Sequence, residues 1–240
     1  MKTIESLKQK SKSIDNEIRK RYPYDADKDF GPICDGIIDF CKYFNAKYRI
    51  LWILKEPYDK IDKNDNAHGG GWHLRDGINS KKSINDFNLE MYFRMMYVSW
   101  GILNNFCAWK EIPHSNKIIR ALKSTGIINI KKIPGIKKSR PSVIMQAYRE
   151  DKDILLNQIE VYAPDILIFG NTFSYFKDDL MTDLESVNLG EGGYLSRYYH
   201  GKQLFLPTYH PSLPELKKEE NEEVYCNEII EAVKKWKNRK

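Results

Sequence analysis

Three stretches of the chain are apolar almost throughout and of strand length: Ile50 to Leu54, Ile127 to Ile130 with Asn129 inside it, and Ile166 to Phe169. Such runs, without alternation, suit strands covered on both faces, as in parallel sheets. The segments around them repeat apolar residues every three or four positions, which predicts helices over residues 1–22, Ile33 to Phe44, Ser115 to Lys123, Ser142 to Tyr162, Phe173 to Leu184 and Glu219 to Trp236. The stretch from Ile84 to Trp109 carries so many large apolar residues that it reads as one or two buried helices, its Met and aromatic residues being core. Near the C-terminus, Tyr194 to Tyr199 and Leu204 to Tyr209 flank His200-Gly201-Lys202 as a hairpin or strand change. Helical and strand patterns therefore alternate, the signature of βαβ units on a parallel sheet.

In open sheets of this kind ligands bind beyond the carboxyl ends of the strands. Glu56 stands at one such end, held extended by Pro57 after it. Asn129 interrupts the second apolar run, and a buried asparagine must bond either to neighbouring backbone or to a ligand. His210 follows the last strand. Between the first two lies His68-Gly69-Gly70-Gly71-Trp72-His73, either an ordinary surface loop or a close backbone approach to a ligand with Trp72 as a stacking wall. The basic segment with Lys131, Lys132, Lys137, Lys138 and Arg140 belongs to the same end of the sheet, and is either a solvated charge run or a set of phosphate contacts.

Composition narrows the field. A chain of 240 residues, 41% hydrophobic and 30% charged, suits one domain with a sizeable core and excludes extensive disorder. No apolar run approaches the roughly 20 residues that span a bilayer, and the N-terminus lacks an apolar h-region, so a cytoplasmic protein with no membrane partner is expected. The four cysteines show no C-x-x-C spacing, which argues against zinc or iron-sulfur ligation, and no metal or cofactor is expected. A formal charge of +6 permits a polyanionic partner.

These motifs, taken in order, resemble the uracil-DNA glycosylase superfamily. Leu54-Lys55-Glu56-Pro57-Tyr58 is similar to the Gly-Gln-Asp-Pro-Tyr motif of its best-known branch, with Lys55 in place of glutamine and Glu56 in place of aspartate. Ala67-His68-Gly69 followed by Trp72 is similar to the stretch before that branch's stacking phenylalanine, and His210-Pro211-Ser212 to its His-Pro-Ser-Pro-Leu-Ser motif, with Leu213 one residue early for the wedge leucine. The resemblance spans roughly residues 45 to 235.

It implies a three-layer α/β/α sandwich with a short, mostly parallel central sheet, acting as a monomer on DNA. Glu56 and His210 would be catalytic, and Lys55, Pro57, Tyr58, His68, Trp72 and Asn129 would hold the base, with Asn129 reading its polar edge. Lys131, Lys132, Lys137, Ser212 and Leu213 would contact DNA. A nucleic-acid-binding protein of this fold without glycosylase chemistry, or a hydrolase of a small nucleoside-like ligand, remain the alternatives. The catalytic expectation requires Glu56, His210 and Asn129 to face one pocket.

Overall fold

The computed structural model describes residues 3–64, 66–136, 139–180, 194–200 and 202–239. The strands are β1 (Gly36–Ile37), β2 (Ile50–Leu54), β3 (Lys60–Ile61), β4 (Ala67–His68), β5 (Gly126–Asn129), β6 (Ile166–Gly170), β7 (Tyr198–His200) and β8 (Gln203–Thr208). The α-helices are α1 (Ile4–Arg21), α2 (Phe40–Phe44), α3 (Leu74–Asn79), α4 (Glu90–Leu103), α5 (Ile119–Lys123), α6 (Pro141–Tyr162), α7 (Phe173–Leu180) and α8 (Glu219–Lys237). Six strands form a sheet in the order β1-β5-β2-β6-β8-β7. The inner four, β5, β2, β6 and β8, are mutually parallel, and the short edge strands β1 and β7 run antiparallel to their neighbours.

Successive strand residues point to opposite faces, and each face meets a helical layer. Ile50, Trp52, Leu54, Ile127, Ile166, Ile168, Leu204 and Leu206 pack into a core with residues of α4, α5 and α8. Leu51, Ile53, Ile128, Leu167, Phe169 and Phe205 join residues of α1, α6 and α7 on the other side. All five residues of β2 are buried, which explains why its run is apolar without alternation. Full burial of each such aliphatic side chain contributes roughly 1.5–3 kcal/mol. The result is an α/β fold of three layers around a mixed sheet. No described helix is long and apolar enough to cross a membrane.

The helix expected over Ile33 to Phe44 is mostly absent. Residues 33–37 run extended, with the Ile33 amide donating to the Lys132 carbonyl at 2.7 Å and β1 pairing with β5, and only Phe40–Phe44 is helical behind an Asp39 N-cap. Sheet pairing outweighs helical spacing here, and Gly36, at φ +135°, breaks any helix; a Cβ there would sit 2.3 Å from the Tyr162 hydroxyl. The helix beginning at Phe173 is described as far as Leu180, and its expected continuation to Leu184 lies outside the described residues.

Asp35, just before β1, is fully buried and meets the equally buried Lys132 ammonium at 2.8 and 3.1 Å. Gln158 of α6 accepts from Lys132 at 2.9 Å and donates to Asp35 at 2.9 Å. The Asn129 backbone amide donates to the second Asp35 oxygen at 2.7 Å. Removing one partner of such a pair leaves an uncompensated buried charge, so Asp35→Ala is expected to destabilise the fold by about 3–5 kcal/mol, read as a lower urea midpoint at unchanged slope.

Candidate functional site

The carboxyl ends of β2, β6 and β8 open into a cleft of about 670 Å³ whose walls include Lys55, Glu56, Tyr58, Asn88, Ser139, Asn171, His210, Ser212, Leu213 and Lys217. Beyond β2 the chain stays clamped to the segment after β5. The amides of Ile130, Lys131 and Gly135 donate to the carbonyls of Leu54, Lys55 and Pro57 at 2.9, 2.9 and 2.8 Å. Gly135 is there by necessity, because a Cβ on it would fall 2.2 Å from the Glu56 carboxyl carbon.

The Glu56 side chain is only 3% exposed, and each carboxylate oxygen has one donor. Ser139 Oγ donates to Oε1 at 2.5 Å, and Lys131 Nζ to Oε2 at 3.3 Å. Those two bonds fix the carboxylate while leaving each oxygen a lone pair for water or substrate.

At the end of β8, His210 Nδ1 accepts from the Ser212 amide at 3.1 Å and lies 2.7 Å from its hydroxyl. With Nδ1 accepting, the neutral ring carries its proton on Nε2. Burial, helped by the nearby Lys55 cation, pushes the imidazole pKa down to about 4, so the ring is neutral over the physiological range. The loop that follows is held from below by Arg94 of α4, a fully buried guanidinium that donates to the carbonyls of Pro211 and Leu216, both at 2.8 Å, and pairs with Glu222 at 3.0 Å.

Between these two ends lies β6. A methyl added at Gly170 would meet Leu54 Cδ2 at 2.9 Å, Pro211 Cδ at 3.1 Å and His210 Cδ2 at 3.6 Å, so the absence of a side chain there is what lets the β2 and β8 ends approach. Asn171 follows in a left-handed conformation, φ +57°, its amide donating to the Thr208 carbonyl at 2.8 Å. Its side chain lines the cleft with no hydrogen bond to a described residue. Lys55 also lines the cleft, half-buried, and makes neither ion pair nor hydrogen bond with a described residue; burial lowers its pKa, partly offset by Glu56.

Of the residues singled out from sequence, Lys55, Glu56, Tyr58, His210, Ser212 and Leu213 come together in this cleft. Pro57 is buried behind it, and Leu213 also packs on the core. Asn129 does not line the cleft: its amide group reaches Asp35 at 3.4 Å, so it supports the fold, and the expected three-residue pocket lacks its asparagine. Lys132 is fully buried against Asp35 and is unavailable to phosphate. Lys131 is turned to Glu56 and the Pro134 carbonyl. Lys137 lies outside the described residues.

Trp72 lines an adjoining cavity of about 690 Å³, and its indole N–H donates to Asp59 at 2.7 Å. Tyr58 borders both cavities. His68 sits on the β3–β4 hairpin, 3.3 Å from Asp62, and does not line the cleft. The glycine run does require positive φ, at +87°, +88° and +80°, but its close approach is to the chain itself. A Cβ on Gly70 would lie 2.1 Å from the Gly31 carbonyl oxygen, and the three amides donate to Asp29, Asp59 and Pro32.

Sequence reasoning missed Gly135, Ser139, Arg94 and Asn171. Arg94 is the lone charge between Met91 and Leu103, and an asparagine directly after a strand-closing glycine was a visible signal at Asn171. The partners of Glu56 had none. Among the described residues no group of three or more His, Cys, Asp or Glu side chains is placed to hold a metal ion. Neither a scan of protein-family models nor a search of curated proteins finds a match to the chain.

The His210 ring is expected to titrate near pH 4 by NMR, and Lys55→Gln to raise that midpoint only part of the way towards 6.5, because burial, the larger cause, persists. Since the folded state binds this proton more weakly than the unfolded chain, the contribution of neutral His210 to stability is present above 6.5 and is lost as the pH falls through about 4.

Proposed function

We propose that the cleft is the active site of a DNA N-glycosylase of uracil-DNA glycosylase type, hydrolysing the bond between deoxyribose and uracil or another deaminated base. The observation that carries this reading is the meeting of Glu56 and His210 in one cleft at the ends of β2 and β8, with Gly170 between the two strand ends.

A base inside a duplex is out of reach of such a cleft and must be flipped into it, at a cost of a few kcal/mol in unstacking and unpairing. Tyr58 offers it a π-face, and the Asn171 amide, which makes no hydrogen bond with a described residue, offers both a donor and an acceptor to its polar edge, in place of Asn129. As the glycosidic bond breaks, positive charge develops on the sugar and negative charge on the base. Glu56, fixed by Ser139 and Lys131, positions water and stabilises the sugar cation. Neutral His210 donates its Nε2 proton as a hydrogen bond to the anionic base, a role an imidazole kept uncharged by burial performs without protonation. Ser212 and the exposed Lys217 stand on the rim where phosphates would pass.

One observation favours binding without catalysis: the Glu56 carboxylate is already engaged by Lys131 and Ser139, which leaves it less free to take a water. The two readings separate on duplexes and single strands carrying uracil, hypoxanthine or xanthine. Excision, detected as strand scission after alkali, is expected to fall about 10²-fold or more in Glu56→Gln and about 10²–10³-fold in His210→Ala. Salt-sensitive binding of all these substrates with no abasic product establishes the binding protein instead.

The amide of Asn171 is expected to govern which base is accepted. Asn171→Asp, which exchanges the amide donor for an acceptor, should alter the order of preference among the three bases, measured as relative kcat/KM.

A further inference from the structure

Among the described residues, two amines line the cleft, Lys55 and Lys217. Lys217 is 65% exposed on the rim and lies 3.5 Å from Glu90, whereas Lys55 is set next to Glu56 in the chain, half-buried, with no acceptor among the described residues. Lys131, the third amine nearby, is tied to Glu56 and to the Pro134 carbonyl. Lys55 lines the cleft beside the Glu56 carboxylate, whose charge acts on it without an ion pair or hydrogen bond between them, so neither packing nor a direct charge pair accounts for its place. Burial lowers the Lys55 pKa and Glu56 partly offsets this, and the unprotonated amine is the nucleophilic form.

We propose that Lys55 is an amine nucleophile that gives the cleft a second activity, abasic-site lyase, acting on the deoxyribose left after a base is removed; this rests on the glycosylase reading for the class of nucleic acid bound. The open-chain sugar of an abasic site is an aldehyde at C1′. Lys55 Nζ adds to that carbon, forming a C–N bond as an N–H proton passes to the aldehyde oxygen, and the carbinolamine takes up one proton from solvent as it loses that oxygen as water, leaving a protonated imine. The Glu56 carboxylate takes a proton from C2′, and the electron pair passes through the enamine to expel the 3′-phosphate as the C3′–O bond breaks. Water then hydrolyses the conjugated imine, returning Lys55 as the amine and releasing an unsaturated aldehyde on the 5′ fragment. No oxidant or reductant is consumed, and water is the sole co-reactant.

The test uses the full chain and a duplex with a preformed abasic site, so that it does not depend on base excision. Sodium borohydride reduces the imine to a stable secondary amine. The expected result is a protein–DNA adduct on denaturing gels, mapped by mass spectrometry to the peptide containing Lys55, together with strand cleavage at the abasic site without alkali. In Lys55→Gln the adduct should fall at least about tenfold, while Lys235→Gln, on the outer face of α8, leaves it unchanged. Thermal unfolding of Lys55→Gln confirms that it is folded. An adduct that persists in Lys55→Gln or maps to another amine overturns the proposal, as does the lack of any adduct with the wild-type chain. Excision of uracil without an adduct overturns the lyase alone. An adduct at the preformed site without excision of any base upholds the lyase and overturns the glycosylase.

Discussion

Two ions with no access to water, Asp35 and Lys132, set the geometry on which the cleft depends. Taking both out of solvent is costly, and the cost is offset only because every strong donor and acceptor in the group has a partner: two contacts between the ions, two through Gln158, and the Asn129 amide. The pair joins the segment leading into β1 to the chain leaving β5 and to α6, three pieces far apart in sequence. Along an extended chain neighbouring side chains point to opposite sides. With Lys132 drawn inward, Lys131 is turned outward to Glu56, and the following residues bring Gly135 and Ser139 against the same carboxylate. Two adjacent lysines of identical chemistry thus have opposite roles.

A similar logic operates at the other wall. Arg94 is buried in the apolar surface of α4, where a cation is tolerated because two loop carbonyls accept from its terminal nitrogens and the Glu222 carboxylate balances its charge. Those carbonyls belong to the segment beginning at His210, so the position of the imidazole is set from the helical layer beneath it. Glycine completes both walls by having no side chain: Gly135 makes room for Glu56, and Gly170 lets Leu54 and His210 close over β6. The cleft that results is lined by a carboxylate fixed by two donors, an imidazole kept neutral by burial, and a lysine that makes no hydrogen bond or ion pair with a described residue.

Much of this was legible along the chain. The apolar runs at Ile50, Ile127 and Ile166 became strands whose side chains are buried on both faces, Asn129 being the polar exception, satisfied by Asp35. Glu56 and His210 stood out as charged or polar groups directly after such runs, and a parallel sheet brings those ends to one edge whatever the loops do. The helical spacing at Ile33 to Phe44 misled, since a spacing of three and four is also satisfied by an edge strand followed by a single turn. Asn129 misled for a different reason: its polarity signalled a hydrogen bond, and the partner was Asp35, 94 residues earlier in the chain.

The sequence by itself determined the layered α/β pattern and the strand ends that carry Glu56, Asn171 and His210, because burial and alternation are local properties of a run of residues. Only the tertiary structure decided which polar residues face the cleft and which face one another. Lys132 and Lys131, Asn129 and Asn171, Trp72 and Tyr58 are each plausible site residues by type and place. The choice between them rests on partners brought from distant segments, and on the penalty for leaving a buried polar group without one.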